Sequence, residues 1–128
     1  MVVTANPGSA AAPRLLLRLE GLAVLILSLA LYRETHTGWL WFALFFFSPD
    51  VSMLGYLRGP GIGALLYNAA HWYLAPLALA AAAWLAHAPA LWPAVFLWTA
   101  HIGLDRLLGF GLKYPTAFGH THLGRTGR

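Results

Sequence analysis

Charge is what this sequence has least of. Four acidic and eight basic residues make up 9% of the 128, where a soluble domain carries roughly 25%. Between Arg58 and Asp105 there is no Lys, Arg, Asp or Glu at all. So few charges cannot coat a surface that faces water, and the solvent that remains is lipid. Cysteine is missing too, which excludes a disulfide framework and a thiolate metal site. The first thirteen residues, MVVTANPGSAAAP, lack a basic segment leading into an apolar one. They read as a flexible tail and not as a signal peptide.

What is present is apolar: 59% hydrophobic residues in long runs. A helix that crosses a hydrocarbon core of about 30 Å needs about 20 mainly apolar residues. Four segments qualify, from about Leu15 to Tyr32, Trp39 to Leu57, Ile62 to Leu85 and Leu91 to Leu112. The breaks RETHTG, RGPG and HAPALWP carry turn residues. Pro60 suits the first turn of the third helix. Pro49 and Pro76 fall inside spans and are expected to kink them. The expected fold is an all-α membrane protein, a bundle of four transmembrane helices with both termini on the same side and room for a homo-oligomer. Its parts are a tail over 1–13, the membrane domain over 14–113 and a cytoplasmic C-terminal tail over 114–128.

The net charge of +4 does not point to nucleic acid, because the basic residues stand at the ends of apolar runs, where they anchor helices. Arg14, Arg18, Arg58, Arg106, Lys113, Arg125 and Arg128 share the side of the termini, against Arg33 alone on the other. The positive-inside rule makes that side cytoplasmic in the cell membrane. Tyr32, Trp39, Trp41, Trp84 and Trp92 form the aromatic belt of the opposite surface.

Ionisable residues inside a membrane span are costly and therefore functional candidates. Glu20, Asp50, Asn68, His71, His101 and Asp105 all fall roughly 8 to 16 Å below the cytoplasmic surface when counted at helical rise. His101 and Asp105 are four apart and share a helix face, as do Tyr67, Asn68 and His71. Asp50, His71 and a His-x-x-x-Asp pair from three helices make a four-ligand site of imidazole and carboxylate. That set suits zinc, iron(II) or manganese, with zinc first among the divalent transition metals. Glu20 and Asn68 stand as candidates to complete or orient the shell, with Tyr56 and Tyr67 near it. His120 and His122 in GHTHLG lie on the side from which a tail can fold over the site. His36 and His87 fall in the far loops and read as solvated.

The runs LLRLEGLAVL, FFFSPDVSMLGYLRGPGIGALLYNAAHWYLAPLAL and AHIGLDRLLGFGLKYPTAFGHTHLG resemble a family of small four-helix bacterial membrane proteins known as a domain of unknown function. That resemblance covers about residues 14 to 124 and implies fold and membrane location. More loosely, SPDVSMLGY, a later histidine and HIGLDRLLGFGLKYP look like predicted membrane-bound metal-dependent hydrolases. Their Asp, His, His-x-x-x-Asp order is similar to one zinc site of the zinc-dependent phospholipase C and nuclease superfamily. The resemblance implies Asp50, His71, His101 and Asp105 as ligands. The chain departs from those hydrolases around His71, where they have a basic residue next and a second histidine shortly downstream, and the extra ligands of a multi-zinc cluster are not evident, so a single metal is expected.

The function expected from these residues is a metal-dependent hydrolase acting on a membrane lipid or another phosphoester. Glu20 is the candidate base, and Arg106 or Lys113 is available for the phosphate. A proton or ion relay built from the same groups stays open, as does a structural or haem-binding protein with His71 and His101 as axial ligands.

Overall fold

The computed structural model describes residues 11–112 and two short strands, β1 His120–Thr121 and β2 Gly124–Arg125, which pair antiparallel. Among the described residues the rest of the regular structure is helical: α1 Ala11–Glu34, α2 Trp39–Phe45, a 3-10 helix Ser48–Arg58, α3 Pro60–His71, α4 Leu74–Leu85 and α5 Trp92–Leu108, preceded by a 3-10 turn at Pro89–Leu91. The tail over 1–10, Lys113 and His122 lie outside the described residues, and His120 is described by its place in β1 alone.

Two helical segments, Ala12–Glu34 and Trp39–Arg58, are long and apolar enough to cross a membrane. The expected third span is not one helix. It is α3 and α4, twelve residues each, parted at Trp72 and Tyr73. The second is also interrupted, since α2 stops at Phe45 and the chain resumes as a 3-10 helix. Proline explains both breaks. It has no N–H, and its ring clashes with the carbonyl four residues earlier. For Pro49 that carbonyl belongs to Phe45, the last residue of α2. For Pro76 it belongs to Trp72, which turns extended at φ −105°, ψ 151°. The disruption therefore falls a full turn upstream of each proline.

These breaks release backbone carbonyls. In an unbroken helix Phe46 O would accept from the N–H of Asp50, but that N–H turns to Phe47 O at 3.0 Å. Likewise the N–H of Ala75 goes to Trp72 O at 3.3 Å, leaving His71 O without its helical donor. A freed carbonyl away from water must find another donor, and both find side chains of α5.

The α1 helix packs on α5 and the 3-10 helix packs on α3. The first pair is antiparallel: Arg18 Nε donates to Leu107 O at 2.8 Å, while Leu31 and Glu34 lie by Trp92 and Phe96 at the other end. The beginning of α1 and the end of α5 thus share one end of the molecule. Their crossing is close at two glycines. A Cβ on Gly21 would stand 2.7 Å from Gly103 O, and one on Gly103 would stand 2.9 Å from Gly21 O. Small residues admit this approach, as at membrane helix crossings. α5 ends earlier than Leu112 because Gly109 takes φ 89°. The N–H of Gly109 bonds to Arg106 O and that of Phe110 to Asp105 O, the Schellman closure.

The core is small and holds Tyr32, Tyr67, Val95, Ala100 and Ile102. Large apolar side chains cover much of the outside, with Leu57 85% and Leu85 73% exposed.

Candidate metal centre

Asp50 stands in the first turn of the 3-10 helix, just after the Pro49 break. His71 is the last residue of α3, just before the Trp72 break. His101 and Asp105 lie one turn apart on the buried side of α5. The two interruptions thus bracket the point where these three elements meet.

Each residue offers one ligand atom, and the four atoms lie within 4.8 Å of one another. His71 Nε2 is 3.0 Å from Asp50 Oδ1, 3.5 Å from Asp105 Oδ2 and 3.2 Å from His101 Nε2. His101 Nε2 is 3.2 Å from Asp50 Oδ1 and 3.4 Å from Asp105 Oδ2. Ligands about 2.0–2.2 Å from a tetrahedral ion stand about 3.3–3.6 Å from one another. The five separations above lie close to those edges, and the two carboxylate oxygens stand within 4.8 Å of each other. This buried group can hold a metal ion.

Hydrogen bonding fixes what the ring nitrogens present to the centre. His71 Nδ1 donates to Tyr67 O and His101 Nδ1 to Phe46 O, both at 2.8 Å. A carbonyl only accepts, so each Nδ1 carries a proton, and a ring that is neutral then turns the lone pair of Nε2 inward. Two imidazole lone pairs and two carboxylate oxygens then converge, an arrangement that repels itself unless positive charge stands among them. Asp105 Oδ2 is buried and makes no hydrogen bond among the described residues, although buried polar atoms are nearly always bonded. A cation at the centre satisfies all four atoms together, whereas protons would serve them only in pairs. An N–H held by a backbone carbonyl is also the usual outer contact of a metal-binding histidine.

The surroundings are stiff. The Tyr67 ring lies on the His71 ring at 3.7 Å and 6°, and Phe46 packs against His101 at 5.3 Å. Trp98 Nε1 donates to Ala70 O at 2.6 Å, tying α5 to the end of α3. Both histidines are fully enclosed, while the Asp50 side chain stays 34% exposed. Asp50 is the most exposed of the four ligand side chains.

Other residues singled out from sequence occupy different places. Glu20 is exposed on α1 and outside the group of four. Asn68 and Tyr56 are half-buried, with the Tyr56 ring filling the space beside Gly63. Arg106 is a correction: expected at the membrane rim for a phosphate, it is buried, 7% exposed. One of its terminal nitrogens donates to His71 O at 2.8 Å and the other to Phe110 O at 2.9 Å. Its guanidinium braces the α3–α4 break against the end of α5. Sequence reasoning also missed the part played by the Phe46 carbonyl, whose only trace is Pro49 three residues on.

Residues 14–126 match the family model described as a domain of unknown function (DUF4260). The chain belongs to that family. No curated protein and no solved structure matches it. The family match spans all four residues of the centre and carries no activity of its own.

Proposed function

We propose that this member of the family is a multi-pass protein of the cell membrane that binds one divalent transition ion at Asp50, His71, His101 and Asp105. We further read it as a hydrolase of a lipid or other phosphoester at the cytoplasmic leaflet. The observation that carries the reading is the convergence of two Nε2 atoms and two carboxylate oxygens within 4.8 Å of one another, each Nδ1 being held by a backbone carbonyl. Two imidazoles and two carboxylates, with no sulfur, favour zinc, followed by iron(II) and manganese.

Two segments of spanning length and the exposed leucines support a membrane location, since soluble monomers rarely expose apolar patches beyond a few hundred Å². Four spans with cytoplasmic termini fit the antiparallel α1 and α5 and the arginines at their shared end. The broken second and third segments fit as well, because their freed carbonyls are bonded inside the protein, as irregular backbone at membrane depth requires.

Catalysis, as against a purely structural site, is supported by the exposed side of Asp50. Four protein ligands fill a tetrahedral shell, so a catalytic water would enter as a fifth ligand or displace one, and Asp50 is the ligand most open to the outside. A divalent ion held there supplies Lewis acidity and makes water a stronger acid. The chain itself orients the group: His71 and His101 are locked by Tyr67 O and Phe46 O, and Asp105 is fixed on α5. Glu20, on the cytoplasmic part of α1, is the candidate base. The haem reading is disfavoured, since the two Nε2 atoms, 3.2 Å apart, leave no room for a macrocycle between them.

The test is release of head group or phosphate from a panel of phospholipids and small phosphoesters by metal-loaded protein in mixed micelles. Cleavage lost in Asp50→Asn together with the metal supports the reading. Glu20→Gln should lose turnover while keeping the metal, and unchanged turnover would remove Glu20 from the base role. Metal-loaded protein that cleaves nothing in the panel leaves a metal-binding protein without hydrolase activity.

A further inference from the structure

Beside the centre lies a cavity of about 610 Å³, within the range of small-molecule sites. Its inner end is formed by Pro49, Ala70, Leu97 and Trp98. Pro49 precedes Asp50, Ala70 precedes His71, and Leu97 lies one turn before His101. Each of the three elements that carry a ligand therefore also carries a wall of the cavity. From there the space runs along α5 past Ala94 and Pro93 to Ala90, and towards Tyr32 at the end of α1. That direction leads away from the arginine-rich end.

The lining asks for little that is polar. Among the described residues no charged side chain contributes to it, and its polar side-chain atoms other than Trp41 Nε1 are already bonded within the protein. Ser48 Oγ donates to Phe45 O at 2.6 Å, Ser52 Oγ to Pro49 O at 2.7 Å and Tyr32 Oη to Gly38 O at 2.7 Å. Trp98 Nε1 is held by Ala70 O, and Thr37 Oγ1 pairs with Thr35 Oγ1 at 2.9 Å. An occupant with polar groups would find few partners for them here, Trp41 Nε1 being the donor left over. A hydrocarbon suits that inventory best.

We infer that this cavity binds one hydrocarbon chain of a membrane lipid and thereby holds the polar end of that lipid beside Asp50. The inference rests on the lipid hydrolase reading and names its substrate class: an acyl lipid of the cytoplasmic leaflet, head group at the centre and tail directed along α5 into the membrane. The chain orients the molecule, and the apolar walls exclude substrates that have no tail.

The experiment uses full-length protein in nanodiscs that contain a phospholipid with a diazirine in the middle of one acyl chain. After irradiation, the attachment sites are mapped by peptide mass spectrometry. Label should concentrate on 45–52 and 90–98. Ala94→Trp fills the cavity and should lose that label while keeping its metal. Ala90→Trp does the same from the other end if the first variant folds poorly. Ala82→Trp, on the exposed face of α4, should keep the label. Label spread evenly over the exposed helices and indifferent to both cavity-filling variants would overturn the proposal, as would cross-links that place a second copy of the chain there. Labelling needs no turnover, so a labelled cavity in a protein that cleaves nothing rejects the hydrolase reading and leaves the chain-binding site standing.

Discussion

His71 and His101 point their Nε2 atoms at each other across 3.2 Å, while their Nδ1 atoms are anchored in opposite directions, one to Tyr67 O and the other to Phe46 O. Both anchors come from backbone close to a break in a helix, and the Phe46 carbonyl is available only because Pro49 interrupts the second segment.

Pro49→Ala should therefore weaken metal binding without removing any ligand. The new N–H can bond to Phe45 O and draw the helix back into register, which engages Phe46 O with the N–H of Asp50. His101 then loses the acceptor that holds its ring. Loss of such an outer contact typically costs 10–100-fold in affinity. Competition with a chromophoric chelator measures it, and wild-type affinity in Pro49→Ala would show that the break does not serve the centre.

The crossing of α1 and α5 sets where His101 and Asp105 stand. Gly103→Val would overlap Gly21 O and the backbone of Leu25, and overpacking of this kind costs about 1–3 kcal/mol. Gly61→Ala is the control, since nothing lies within 4 Å of the added carbon, and replacing a helical glycine gains about 0.5–1 kcal/mol. Thermal unfolding in detergent should show a clear fall in Tm for the first variant and no fall for the second.

Arg106→Gln removes the brace from His71 O to Phe110 O. Hydrogen bonds to a charged group contribute about 1.5–3 kcal/mol each, so stability should drop by a few kcal/mol. An arginine serving the substrate would affect turnover and leave Tm alone. Measuring both on the same variant separates the two roles.

Orientation is open to reporter fusions. A reporter after Arg128 and one within the loop at Arg58–Pro60 should read cytoplasmic, and one within 87–93 should read outside. A C-terminal reporter on the outer side would place the centre in the other compartment.

The centre was legible in the sequence because its chemistry is rare there. Four carboxylates and six histidines in an apolar chain can be compared by depth and spacing, and helical periodicity puts His101 and Asp105 on one face. The helix breaks were legible only as prolines. Their effect falls a turn earlier, at Phe46 and at Trp72, where no residue type signals it. Arg106 was misplaced for a related reason. A cation near the end of an apolar run looks like a surface anchor, and the carbonyl that draws it inward exists only once α3 has ended at His71. The close approach at Gly21 and Gly103 needed the packing of two distant segments and leaves no local signature.

The most direct test of the account is elemental analysis of detergent-purified wild-type, His71→Ala, His101→Ala, His36→Ala and His87→Ala proteins. The wild type should hold close to one equivalent of a divalent transition metal, zinc first. His71→Ala and His101→Ala should lose most of it, because four-ligand sites depend on every ligand. The exposed histidines His36 and His87 should be dispensable. A wild type free of metal after reconstitution, or equal content in all five proteins, would contradict the metal centre and leave His71 and His101 as hydrogen-bonded residues of a proton network.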